Sequence, residues 1–152
     1  MKVLVLGGVA AGTKVAAKLM REDRSCEVTV LTKGKDISYA GCGLPYYVGG
    51  VIQEKSGLIV NTPEKFAALT GAGVKTETEA VAVHPDRHAV EAKDLKTGEI
   101  TEYGYDKLVI ATGASPFVPP VQGLDQKNVF GMRTPDDAIG LREAVEAGEI
   151  KR

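Results

Sequence analysis

The chain has 152 residues, 43% of them hydrophobic, with 19 Lys and Arg against 20 Asp and Glu and a formal charge of -1. That is enough apolar material for one domain with a packed core, and too much for a disordered chain. No basic block interleaved with aromatics marks a nucleic-acid face, no apolar run approaches the roughly 18 residues that span a bilayer, and no secretory leader is recognisable, so a cytoplasmic protein without nucleic-acid or membrane partners is expected.

In chain order, "KVLVL" (Lys2 to Leu6) is a continuous apolar run ending at Gly7-Gly8, and reads as a central parallel strand buried on both faces. From Ala11 the spacing becomes helical. Val15, Ala16, Leu19 and Met20 fall on one side, Lys14, Lys18 and Arg21 on another, and the helix ends near Asp23. "CEVTVLT" (Cys26 to Thr32) supplies a second strand, completing a βαβ unit. A loop to Ala40 and a short helix from Gly43 or Leu44 follow. "TPEKFAALTG" then reads as a helix with Thr62 as N-cap, Pro63 in its first position and Gly71 at its end.

Lys75 to Val83 and Ala89 to Lys93 read as strands joined through "HPDRH", and "DLKTGEITEY" as a hairpin turning at Thr97-Gly98. Lys107 to Ala111 is another buried strand, ending in Thr112-Gly113. "ASPFVPPVQGLD" reads as an extended connector, and Thr134 to Ala147 as a last amphipathic helix before the charged end "GEIKR".

The turn "GGVAAG" (Gly7 to Gly12) has glycine at the first and last positions of GxGxxG and Val9 at the middle one. It follows a buried strand and opens a helix, so free backbone N–H groups and the helix dipole converge where a pyrophosphate can bind. A tight connection without ligand is the competing reading. Thr32 stands where an acidic ribose partner is usual; its hydroxyl can hydrogen-bond a ribose, though less strongly than a carboxylate.

Two cysteines in such a chain suit reduced thiols better than a structural disulfide, and neither lies in a CxxC or near a His at ligand spacing, so no metal is expected. A lone cysteine is most often a small buried apolar residue, and Cys26, opening a strand, fits that role. Cys42 differs: "SYAGCGLPYY" sets it among glycines just ahead of a short helix with Pro45 in its first turn. That setting suits a sulfur that attacks disulfides or peroxides. With no second cysteine close by in sequence, its oxidised form is a sulfenic acid or a mixed disulfide, and the partner sulfur comes from a substrate. Ser38 and Tyr46 can donate hydrogen bonds near that sulfur, or serve only the loop. His84 and His88 flank a turn and read as surface residues.

"GGVAAG", "SYAGCGLPYYVGG" and "YDKLVIATGASPFVPPVQGLD", in that order, resemble the flavin-dependent pyridine nucleotide-disulfide oxidoreductases. The single cysteine followed by Leu-Pro-Tyr is similar to the branch holding coenzyme A-disulfide reductase, NADH oxidase, NADH peroxidase and persulfide reductases. The resemblance implies an α/β, three-layer ββα FAD/NAD(P)-binding fold with a central parallel sheet, as the N-terminal part of a discontinuous FAD domain. Residues 1–114 would be its first segment and 115–152 a connector and helix leading towards an NAD(P)H-binding domain.

By the same resemblance, Gly7, Gly8, Val9, Ala10, Ala11 and Gly12 hold the FAD pyrophosphate, Thr32 and Lys33 face the adenosine ribose, and Ala111, Thr112 and Gly113 line the flavin. Cys42 is the redox-active sulfur, fed by NAD(P)H through flavin. Lys14, Lys18, Arg21 and Ser38 lie along a coenzyme A path, although from charge alone the three basic residues read as a solvated helix face. The implied substrate is coenzyme A disulfide, a persulfide or polysulfide, or oxygen or peroxide, and the complete enzyme is a homodimer. The isolated 152 residues are expected to bind FAD weakly if at all and not to turn over NAD(P)H. The alternative is a non-catalytic nucleotide or coenzyme A binding module. An NAD-dependent dehydrogenase half is disfavoured, because no acid-base His or Asp follows the expected strands.

Overall fold

The structure is a computed structural model and describes residues 1–150. It divides into two compact units, one of Met1–Ser38 with Asn61–Gly113, the other of Tyr39–Val60 with the chain from Ala114 onward.

The first unit is built on a four-stranded parallel sheet in the order β3-β2-β1-β7: β1 is Lys2–Leu6, β2 Glu27–Leu31, β3 Gly73–Lys75 and β7 Lys107–Ile110. Helix α1 (Ala11–Glu22) joins β1 to β2, and α3 (Pro63–Thr70) precedes β3. Both faces of β1 are buried, as the unbroken apolar run predicts. Val3 and Val5 pack with Ala16 and Met20 of α1 and Phe66 of α3. Leu4 and Leu6 pack on the opposite side with Val90 and Ala92. Those two belong to β5 (Ala89–Asp94), the middle of an antiparallel sheet with β4 (Thr78–His84) and β6 (Ile100–Gly104). Helices, parallel sheet and antiparallel sheet form the three layers, and residues alternating along a single strand bind them together.

The sequence reads Lys75 to Val83 as one strand, whereas the structure divides it. Lys75 ends β3, Glu77 adopts a left-handed φ of 49°, and Thr78 begins β4 in the other sheet. Thr32 ties the break from both sides: its N–H donates to the Lys75 carbonyl at 2.9 Å and its carbonyl accepts from Thr78 N–H at 2.9 Å. The helix read over "TPEKFAALTG" is present, with the Thr62 hydroxyl accepting from Lys65 N–H at 3.2 Å and Gly71 closing it at φ 81°.

In the second unit a 3-10 turn, Gly41–Gly43, runs into α2 (Leu44–Val48), and a second 3-10 turn covers Lys55–Leu58. Their core is Leu44, Tyr47 and Leu58 with Ala138 of α4 (Pro135–Glu146). Residues 111–134 contain no helix or strand, as the proline-rich connector predicts.

Candidate functional site

The strand order places β1 between β2, reached through α1, and β7, reached only after β3 and the antiparallel sheet, so the order of strands reverses beside β1. The carboxyl ends of β1 and β7 flank that reversal, the place where open α/β sheets bind ligands. Gly7, directly after β1, lies there with φ 113°, a conformation open to glycine. A Cβ on Gly7 would stand 2.1 Å from the Ala111 carbonyl oxygen. On Gly8 it would meet the Thr32 Cβ at 2.9 Å, and on Gly12 it would stand 1.8 Å from the Gly7 carbonyl oxygen. The first and last glycines therefore let α1 fold back onto β1 beside the end of β7. Gly8 lets the turn rest on the end of β2.

Val9, at the middle position, does not adopt a positive φ and is half-buried. Its carbonyl and that of Ala10 accept from the buried Thr13 hydroxyl, which fixes the turn from inside the helix. Ala10 is the N-cap of α1, with no side-chain acceptor for the first-turn amides and no acidic residue among them. Those amides and the positive end of a 12-residue helix are thus available to an anion.

Around this turn the structure gathers several residues singled out in the sequence. Thr32 is 7% exposed, its side chain packed on Gly8. Lys33 is exposed, its Nζ 2.9 Å from Glu79 Oε1. Ala111 donates its N–H to Leu6 at 2.8 Å, and Thr112 and Gly113 follow it exposed. Ser38, at φ 49°, donates its N–H to the Gly8 carbonyl at 2.9 Å. Ile37, fully buried, lies 3.0 Å from the Gly8 Cβ position and forms the floor of the turn. Sequence reasoning missed Ile37, whose only signal is one apolar residue inside a charged loop. Lys14, Lys18 and Arg21 are exposed along α1, with Lys18 Nζ 2.5 Å from Glu22 Oε1.

The two cysteines part company. Cys26 is 5% exposed and its Sγ donates to Asp23 Oδ2 at 3.3 Å; burial, helped by the Asp23 carboxylate, pushes its thiol up. Hydrogen bonds from the Ser25 hydroxyl and N–H, and from Cys26, hold Asp23 below the ordinary carboxylate value. Cys42 belongs to the second unit, exposed in the Gly41–Gly43 turn immediately before α2, with Pro45 in the first helical turn. Gly43 is closely packed behind it: a Cβ there would lie 3.3 Å from Ala40 Cβ and from Ile52 Cδ1. The thiol carrier is thus a tight turn presenting its middle residue outward.

His84 pairs with Glu91 at 2.9 Å, and His88 stacks on Tyr105 with centroids 5.6 Å apart. Among the described residues no group of three His, Cys, Asp or Glu is placed to hold a metal, and no helix is long and apolar enough to cross a membrane.

The family model for pyridine nucleotide-disulphide oxidoreductases matches residues 1–150. The chain is 34% identical to the NADH oxidase of Methanocaldococcus jannaschii over 152 residues, all of this chain and 34% of that protein. It is 32% identical to the coenzyme A disulfide reductase of Staphylococcus aureus over 151 residues, 99% of this chain and 34% of that protein. A solved NAD-dependent persulfide reductase from A. fulgidus superposes with a TM-score of 0.92 at 38% identity, covering 97% of this chain and 28% of that one. The chain therefore spans about a third of the length of these curated relatives. It belongs to the pyridine nucleotide-disulphide oxidoreductase family.

Proposed function

We propose that the chain is the FAD-binding part of a cytoplasmic, homodimeric NAD(P)H-dependent reductase that acts through Cys42. The observation that carries this reading is the turn between β1 and α1. Its glycines leave no room for a Cβ, its helix start has no side-chain cap, and it lies where the strand order reverses. Those features fit the pyrophosphate of FAD: Gly7 to Gly12 would hold it through backbone N–H groups, with Thr32 and Lys33 towards the ribose and Ala111 to Gly113 along the flavin. Val9 is tolerated because it keeps an ordinary backbone conformation.

When bound, FAD supplies the carrier between a reduced nicotinamide and sulfur. The chain's own step is at Cys42, whose exposed sulfur attacks a substrate disulfide. One Cys42–sulfur bond forms, the substrate S–S bond breaks, and one thiol leaves. Lys14, Lys18 and Arg21 suit the phosphates of coenzyme A, with Ser38 at the end of that path. Residues 1–114 and 115–152 then serve as the first FAD segment and the lead towards the nicotinamide-binding domain.

A chimera tests this, with the chain replacing the matching third of the Staphylococcus aureus coenzyme A disulfide reductase. NADH- or NADPH-dependent turnover is expected with one of coenzyme A disulfide, polysulfide or oxygen, and Cys42→Ser is expected to abolish it. A flavin-loaded chimera whose turnover survives Cys42→Ser, or a folded one that takes up no FAD, overturns the proposal. The second result would favour a binding module without catalysis.

A further inference from the structure

We propose that Arg142 of α4 is a positioning residue for Cys42, an inference that rests on Cys42 being the redox centre. Arg142 is charged, yet its side chain is 18% exposed. Its Nη1 lies 3.3 Å from the Tyr47 carbonyl oxygen and 3.0 Å from those of Ile52 and Gln53, and it donates to all three. Its guanidinium carbon lies over the Tyr47 ring, 4.6 Å from its centre, and its Nε donates to Glu146 Oε1 at 2.7 Å. A single planar cation thus joins the last turn of α2 to the segment that doubles back after Gly49-Gly50.

The connection reaches the cysteine turn through Ile52. With its carbonyl fixed by Arg142, the Ile52 side chain closes on the back of the cysteine turn, 3.3 Å from where a Cβ on Gly43 would stand, and it leaves no room for one on Gly57, at 2.9 Å from that position. Gly43 is the residue after Cys42 and ends the 3-10 turn. Leu58, fully buried, packs on the same side, 3.7 Å from the Gly43 Cβ position. The planar guanidinium suits this place, since a lysine ammonium offers a point charge rather than a flat fork that can both stack and bond carbonyls. An ion pair from α4 to the following turn, Lys55 with Glu143 at 3.0 Å, has both side chains more than half exposed and serves as a control.

The test uses the chain as it stands, with a trifluoroacetonyl group placed on Cys42 and the site of labelling confirmed by mass spectrometry. Fluorine NMR reports the surroundings of the sulfur, and amide exchange reports the backbone. Wild type is expected to give one fluorine line displaced from that of the urea-unfolded chain. Arg142→Met is expected to move this line at least halfway to the unfolded position. It should also cost about tenfold in protection at Gly43 and Ile52 while the β1 and β2 amides keep theirs.

Arg142→Lys should lie between the two, and Lys55→Met should match wild type. An unmoved line and unchanged protection in Arg142→Met overturn the proposal, as does an equal shift in Lys55→Met. If Arg142→Met also loses its β1 and β2 protection, Arg142→Lys decides: an intermediate line supports the proposal and a wild-type line overturns it. None of these readings needs flavin or turnover, so a chimera indifferent to Cys42→Ser would remove the redox role and leave them unchanged.

Discussion

Gly12 and Gly140 are both helical glycines, and the structure assigns them opposite consequences. A Cβ on Gly12 would stand 1.8 Å from the Gly7 carbonyl oxygen, so Gly12→Ala must push α1 away from β1. Overpacking of this kind costs about 1–3 kcal/mol. Nothing lies within 4 Å of a Cβ on Gly140, inside α4, where alanine is the better helix former. Gly140→Ala should therefore stabilise by up to about 1 kcal/mol. Urea midpoints of the two variants should move in opposite directions, and a shared direction would show that the packing of the turn is misjudged.

The cysteines make a second contrast at this scale. Iodoacetamide should label Cys42 in the native chain and reach Cys26 only on unfolding, because burial and the Asp23 carboxylate disfavour the Cys26 thiolate. Peptide mass mapping before and after urea checks this. The contrast between the two was legible in the sequence, since one cysteine opens an apolar strand and the other stands between glycines. The buttress of Arg142 behind Cys42 was not legible, because nothing local to either residue points to the other.

At the scale of the element, α4 has reciprocal capping. The Thr134 hydroxyl accepts from Asp137 N–H at 3.3 Å, and Asp137 Oδ2 accepts from Thr134 N–H at 2.7 Å and Arg133 N–H at 2.9 Å. Partial burial works to raise the Asp137 carboxyl, but the Thr134 and Arg133 hydrogen bonds outweigh it and hold the group below its ordinary value of 3.8. The sign follows from linkage. A depressed folded value means that the stabilisation is present above pH 3.8 and is lost as pH falls through the lower folded value. Helix α4 should accordingly fray under acid. Thr134→Ala should cost about 1 kcal/mol at neutral pH, read as a lower urea midpoint.

Its amphipathic pattern made this helix readable, as the Thr62-Pro63 start did for α3, whereas the reciprocal cap itself was not read from the sequence. The two 3-10 turns escaped because three or four residues carry no hydrophobic period. The division between β3 and β4 escaped because it turns on one left-handed glutamate, a conformation that Gly or Asn would have signalled.

At the scale of the whole molecule, the parallel βαβ unit was foreseeable from the order strand, glycine turn, helix, strand, whereas the β-layer on the other face was expected only from the family resemblance. What local patterns could not supply was the grouping of the cysteine segment with α4, a partnership between residues far apart in sequence. The chain spans about a third of its curated relatives, so NADH mixed with the chain and FAD should be oxidised no faster than with FAD alone. Stopped-flow absorbance at the nicotinamide band would reveal any excess.

The most direct test of the flavin cradle is an amide NMR titration of the chain with FAD, which detects weak binding that a visible spectrum would miss. Saturable shifts are expected at Gly7 to Thr13, Thr32, Lys33 and Ala111 to Gly113, and the same titration of Gly12→Ala should weaken them. A spectrum that stays still to millimolar FAD, or shifts that saturate elsewhere and spare Gly7 to Gly12, would contradict the assignment of this turn as the cofactor's anchor.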